Sequence, residues 1–166
     1  MISWKLSAVS KSDAYWFIFF SRLLVLAAIF VLISAVMSRL VIARGESVPY
    51  TLFLSFPGST PDLGDYVTGL ISHPIIGDEP ALLIKKVACD AGQFIALSGD
   101  VFECDGQPLG GFITETWDGK PLKPWSVSSE IPDGRAFIMG NHERSFDSRY
   151  FGLVDKQELT VVKALF

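Results

Sequence analysis

The sequence predicts a mainly β domain carried on one N-terminal transmembrane helix, and three observations predict it. A single apolar run, Tyr15 to Met37, is long enough to cross a bilayer. Everything after Pro49 breaks into short β-prone runs separated by Gly, Pro and Asp turns. The charge divides along the same line: residues 1–44 carry five Lys/Arg and one Asp, whereas residues 45–166 carry nine Lys/Arg and seventeen Asp/Glu. A basic, apolar anchor is therefore followed by an acidic soluble domain. With 166 residues, 49% of them hydrophobic, the chain has room for one ordinary domain plus a membrane element, but not for two full domains. The acidic part lacks a Lys/Arg cluster of the kind that neutralises phosphates, so nucleic acid is not an expected partner. Two cysteines, with no CxxC or Cys/His cluster, leave no expectation of a metal site.

Residues 1–14 are polar, with Lys5 and Lys11 and no Gly or Pro, and are expected to form a cytoplasmic tail. The transmembrane helix is expected over residues 15–38, with Tyr15 and Trp16 as interface anchors and Arg22 snorkelling to the surface. Lys5, Lys11 and Arg22 on one side outweigh Arg39 and Arg44 on the other, which favours a cytoplasmic N-terminus and a domain outside the cytoplasm. Ser34-Ala35-Val36 loosely matches a signal-peptide cleavage site, but the apolar run is long for a signal-peptide core and Arg22 lies inside it.

Immediately beyond the anchor comes Gly45-Glu46-Ser47-Val48-Pro49. A serine beside a fixed-φ proline, close to where a membrane segment emerges, is placed to act as a nucleophile on membrane-tethered substrates; the bland alternative is a turn serine. Strands are expected at Thr51–Phe56 and from Tyr66, with Pro57-Gly58 and Pro61–Asp65 as turns, and then over Ala81–Cys89. This last run contains adjacent lysines, Lys85 and Lys86, which strand alternation sends to opposite faces, Lys85 with Leu83, Val87 and Cys89. If both faces are covered, one ammonium is desolvated and becomes a candidate base; if the strand is an edge, both amines stay in water. Phe94–Leu97 and Val101–Cys104 form a hairpin, which brings Cys89 and Cys104 onto neighbouring β segments as either a disulfide or two buried thiols. Residues 107–130, rich in Gly, Pro, Trp, Lys and Ser, show no period and suggest an irregular excursion.

The last informative stretch is Ile131–Gly140, a strand running into the polar loop Asn141–Gly152. Alternation there places Ser145, Asp147 and Arg149 on one side, where an Asp–Arg pair could brace a serine hydroxyl.

Taken together, Ser47-Val48-Pro49, Lys85-Lys86-Val87 with Gly92, and Gly140-Asn141 through Ser145-Phe-Asp147-Ser148-Arg149-Tyr-Phe-Gly152 resemble the Ser/Lys signal peptidases of the S26 family. The resemblance covers roughly residues 45–166, and Gly64-Asp65-Tyr66-Val67 also fits it. It implies a signal-peptidase-like β-rich catalytic domain on the far side of a bacterial inner membrane, with Ser47 as nucleophile and Lys85 as general base. Ser145 would orient the amine. Asp147 would either fix the site through Arg149 or take a direct catalytic part, with Pro49 and Gly140 as supports. Proline two residues after the serine, rather than three, looks more like the compact TraF-type peptidases of plasmid conjugation. The implied substrate is then a membrane-tethered pilin precursor, bound by strand addition, and the implied partners are the bilayer and conjugation-apparatus proteins. No organic cofactor is implied. Three departures from the family pattern stand out: Gly45 where a hydroxyl residue is common, Asn141-His142 for Asp-Asn, and Asp90-Ala91-Gly92-Gln93 for Leu-Pro-Gly-Asp. Two alternatives remain: a Ser/His/Asp enzyme built on His142, and a non-catalytic membrane-anchored assembly scaffold.

Overall fold

The computed structural model describes residues 11–166, and side chains from residue 15 onward. Most of the expected cytoplasmic tail therefore lies outside the described residues. The chain divides between Arg39 and Leu40 into two units. The first contains one helix, α1, Lys11–Met37. Among the described residues it takes in Lys11-Ser-Asp-Ala14 ahead of the apolar run, a stretch that contains no helix breaker. Its apolar part, Tyr15–Met37, spans 23 residues, or about 34 Å at the α-helical rise, enough for a bilayer core. Its large apolar side chains are exposed all round, as a lipid-facing helix requires and a soluble surface helix avoids.

The second unit is built on two antiparallel sheets. The larger has seven strands, β1 Leu40–Ile42, β2 Leu52–Phe56, β3 Tyr66–Ile71, β4 Ala81–Asp90, β9 Arg135–Met139, β10 Val154–Asp155 and β11 Thr160–Ala164, in the order β1-β2-β11-β3-β4-β9-β10. The smaller has four, β5 Phe94–Ser98, β6 Val101–Cys104, β7 Gln107–Gly111 and β8 Ser129–Glu130, in the order β7-β6-β5-β8. One helical turn, α2 at Ser148–Phe151, lies between β9 and β10.

Strand β4 is an interior strand, paired with β3 along Ala81–Lys86 and with β9 from Lys86 onward, so the edge-strand alternative for the two lysines does not hold. Lys85 stands opposite Val67 and is buried, whereas Lys86 is exposed on the other face. Alternation fails further along. A bulge sets Val87 against Ile138 and Cys89 against Phe137, which are neighbours on β9 and so face opposite ways. Val87 joins a core with Val67, Ala136 and Ile138, while Cys89 turns into a second core with Ile95, Phe102 and Phe137. That turn lets Cys89 reach Cys104 in the smaller sheet, and the two form a disulfide with Cα atoms 5.7 Å apart.

Residues 107–130 are less irregular than their composition suggests. Gln107–Gly111 pairs with β6 and Ser129–Glu130 with β5, because ladder hydrogen bonds need only backbone. The segment between them, 112–128, carries one isolated bridge, Glu115 to Pro121.

Candidate active site

Ser47 lies in the loop between β1 and β2, held by the burial of Val48 against Phe53 and Val162. Gly45 opens this loop at φ +106°, a conformation that a side chain would strain. That backbone demand accounts for glycine where a hydroxyl residue was expected from the resemblance. The loop is tied to the far end of the sequence by Asn141, whose N–H donates to the Ser47 carbonyl at 2.7 Å.

Lys85 extends from β4 toward the same point with 2% of its surface exposed. Its Nζ donates to Ser145 Oγ at 2.7 Å, and Ser145 Oγ donates to Ser47 Oγ at 3.3 Å. The hydrogen bonds thus run from amine to nucleophile candidate through Ser145. Desolvation by burial pushes the Lys85 amine down to about 8; the Asp147 carboxylate opposes that shift and the Arg149 guanidinium adds to it.

Gly140 is the spacer that lets these groups meet. A Cβ there would come within 2.7 Å of Ser145 Cβ and 2.9 Å of the Ser47 carbonyl oxygen and would overlap the Ser145 hydroxyl. Only a glycine leaves β9 close enough to both serines.

The loop after β9 is not extended, so Asp147 and Arg149 do not alternate with Ser145 along a strand. Asp147 is the N-cap of α2, accepting from the Arg149 N–H, and Arg149 belongs to the turn it caps. Serine and aspartate so placed prefer capping to a ladder. The Asp147–Arg149 pair is buried and bidentate, with Nε to Oδ1 and Nη2 to Oδ2 both at 2.8 Å, and Oδ2 also accepts from the Gly140 N–H. Arg149 further donates to the carbonyls of Gly111, His142, Glu143 and Ser145. The pair therefore braces the backbone of Ser145 rather than its hydroxyl. Ser148, to which sequence reasoning gave no part, is buried and accepts from the Ile138 N–H at 2.9 Å, fixing α2 to β9. Its place within the polar box was the available signal.

His142 turns elsewhere. Its Nδ1 accepts from the Arg144 N–H and its Nε2 faces Glu46 at 3.4 Å, which leaves neither nitrogen for Ser47. Pro49 is exposed and closes the serine loop. Among the described residues no group of three His, Cys, Asp or Glu side chains converges as a metal site would need.

Ser47 and Lys85 open on a cleft of about 340 Å³ between residues 41–48 and Leu82–Lys85. Along this stretch β4 is paired by β3 on one edge, while β9 begins only at Lys86, so the edge facing the cleft is free for a peptide.

Residues 15–165 match the model of the signal peptidase family, peptidase S26. A Synechocystis protein described as a probable signal peptidase I-1 is 29% identical over 120 residues, 68% of this chain and 57% of that protein. The chain thus spans a little over half the length of that relative. A crystal structure of a signal peptidase I from Enterococcus faecalis V583 aligns with 64% of this chain and 97% of its own at 19% identity and a TM-score of 0.38, a likeness too low to carry an argument. On the strength of the family match, which takes in nearly all of the described residues, the chain belongs to the peptidase S26 signal peptidase family.

Proposed function

We propose that this protein is a membrane-anchored serine endopeptidase of the signal peptidase type, with Ser47 as nucleophile and Lys85 as general base. The observation that carries this reading is the hydrogen-bonded chain from buried Lys85 through buried Ser145 to half-buried Ser47, with contacts of 2.7 and 3.3 Å. A scaffold has no use for a desolvated lysine aimed at two serines.

When the amine is neutral these hydrogen bonds reverse, Ser145 donating to the Lys85 lone pair and Ser47 to Ser145, so that the Ser47 proton reaches the amine through Ser145 as Oγ attacks the scissile carbonyl. With a pKa of about 8, roughly a tenth of the enzyme holds the neutral amine at pH 7, against under 0.1% for an ordinary lysine. The protonated lysine then returns the proton to the leaving amine. The Ser47 N–H is the donor assigned here to the developing oxyanion. Asp147 and Arg149 are positioning residues, because every oxygen of the carboxylate is already taken up by Arg149 and Gly140.

The substrate is an extended segment beside a membrane-embedded helix, added as a strand to the free edge of Leu82–Ile84. The domain lies outside the cytoplasm of a bacterial inner membrane, a placement supported by the buried Cys89–Cys104 disulfide, which needs an oxidising compartment. Within this class we favour a pilin precursor of a conjugative secretion system, on the Ser47-Val48-Pro49 spacing. The description of the Synechocystis relative favours the second reading, removal of secretory signal peptides at large.

Co-expression with a pilin precursor, and separately with a secretory preprotein, tests both by intact mass. Processing of the pilin lost in Ser47→Ala and Lys85→Ala supports the first reading; processing of the preprotein alone supports the second. Equal processing by all three forms would leave the scaffold. A pilin product one water lighter than the linear peptide would show that an amine rather than water resolves the acyl-enzyme.

A further inference from the structure

The cleft that holds Ser47 carries a charge that the chemistry at the serine does not use. Two charged residues line it, Arg44 on the wall formed by residues 41–48 and Lys85 on the wall formed by β4, and no carboxylate does. The rest of the lining is apolar side chains, Gly45 and Ser47 itself. Lys85 is buried and its amine is engaged with Ser145, so it is not offered to a bound segment. Arg44 is exposed, and among the described residues it forms no ion pair. Glu46, the nearest carboxylate along the chain, faces His142 instead. With nine Lys/Arg against seventeen Asp/Glu over residues 45–166, the domain is acidic, and this cleft is a local exception in sign.

We propose that Arg44 is a specificity-determining residue, and that the substrate it favours carries an acidic side chain, Asp or Glu, within about four residues of the scissile bond. The inference rests on the reading of Ser47 as nucleophile. Arg44 and Ser47 are three residues apart in the chain, a span of at most about 11 Å. An extended substrate rises about 3.3 Å per residue, so a carboxylate that meets the guanidinium lies only a few residues from the bond under attack.

Strand addition makes the arginine selective rather than merely attractive. Main-chain bonds to the free edge at Leu82–Ile84 fix the substrate lengthwise, and alternation turns every second side chain toward the same wall. At such a position a carboxylate accepts from the guanidinium fork, whereas a lysine meets a like charge. Because Arg44 is exposed, the pair has the worth of a surface ion pair, up to about fivefold in kcat/KM.

The experiment digests a proteome-derived peptide library with the full chain in micelles of a non-ionic detergent and reads the cut sites by mass spectrometry. Cuts made by wild type and absent with Ser47→Ala are expected to be enriched in Asp or Glu at one position, or at two positions of the same alternation, within about four residues of the bond. Peptides with Glu, Gln or Lys at that position are then compared by kcat/KM. Wild type is expected to favour Glu over Gln by about threefold to fivefold and to place Lys last. Arg44→Gln is expected to flatten this order, and Arg44→Glu to invert it, so that Lys is favoured over Glu. Because the order inverts with the substrate's own charge, a general loss of fold or activity would not imitate it. A library without acidic enrichment near the bond, or a preference that Arg44→Glu leaves unmoved, overturns the inference while leaving the peptidase intact. An absence of Ser47-dependent cuts would remove the peptidase reading and this inference with it.

Discussion

Sixty residues of chain separate Lys85 from Ser145, yet the Lys85 amine donates to the Ser145 hydroxyl across 2.7 Å in a buried site. Burying an amine with one neutral acceptor is costly, and the cost is visible as a pKa of about 8 in place of 10.5. Between these two values the folded chain binds fewer protons than the unfolded chain. Stability therefore rises with pH across that window, and below about 8 the fold carries the whole penalty, roughly 3 kcal/mol. Lys85→Met keeps the volume and removes the amine. It is expected to abolish activity while stabilising the domain by about 1–3 kcal/mol at pH 7, the Ser145 hydroxyl left behind offsetting part of the gain. Thermal melts at pH 7 and pH 10 check this; a lower Tm for the variant at pH 7 would contradict it.

Gly140→Ala tests the spacing of the two serines. The new methyl must displace Ser145 or the Ser47 loop, and a displacement of that order is expected to lower kcat/KM about 100-fold. Circular dichroism of the variant should still report the β fold. Full activity would mean that the serine pair tolerates being moved.

For the Asp147–Arg149 pair, truncation strands a buried charge. Asp147→Ala is expected to cost about 3–5 kcal/mol in urea unfolding, and Arg149→Lys a similar fraction of stability, since a lysine cannot reproduce the fork. In Asp147→Asn, activity loss should track the loss of folded protein. If instead the variant folds normally and is inactive, Asp147 takes part directly in the chemistry.

The disulfide joins β4, the strand that carries Lys85, to the hairpin strand β6, closing a loop with a sequence separation of 15. Cys104→Ala, or reduction of the folded protein, is expected to lower stability by about 3 kcal/mol. Urea midpoints with and without a phosphine reductant measure this, and coincident midpoints would show that the bridge contributes nothing.

These elements differ in how plainly the sequence announces them. The apolar run of Tyr15–Met37 and the turn-bounded strands are legible because their signals are local: length, period and Gly/Pro punctuation. The opposite fates of Lys85 and Lys86 follow from alternation, but burial of one depends on β3 and β9 flanking β4, a non-local fact. The bulge at Val87–Cys89 cannot be read from a run of apolar residues, and it alone turns Cys89 toward Cys104. Strands β1, β7, β8 and β10 are missed for a related reason: they are short and are held by ladder bonds to neighbours rather than by their own composition. In the polar box, the residue types were legible and the conformation was not. Strand alternation does not hold where Asp147 caps a helical turn, so the sequence shows the partner of Arg149 but not what the pair braces.

The central claim is that a neutral Lys85 activates Ser47, and the pH dependence of kcat/KM on a cleavable peptide tests it most directly, with His142→Ala alongside. The account predicts a rising limb with a midpoint near 8, unchanged in His142→Ala, because the reactive fraction is the deprotonated lysine. A midpoint near 6.5 that disappears in His142→Ala, or a profile flat from pH 6 to 9, would contradict it.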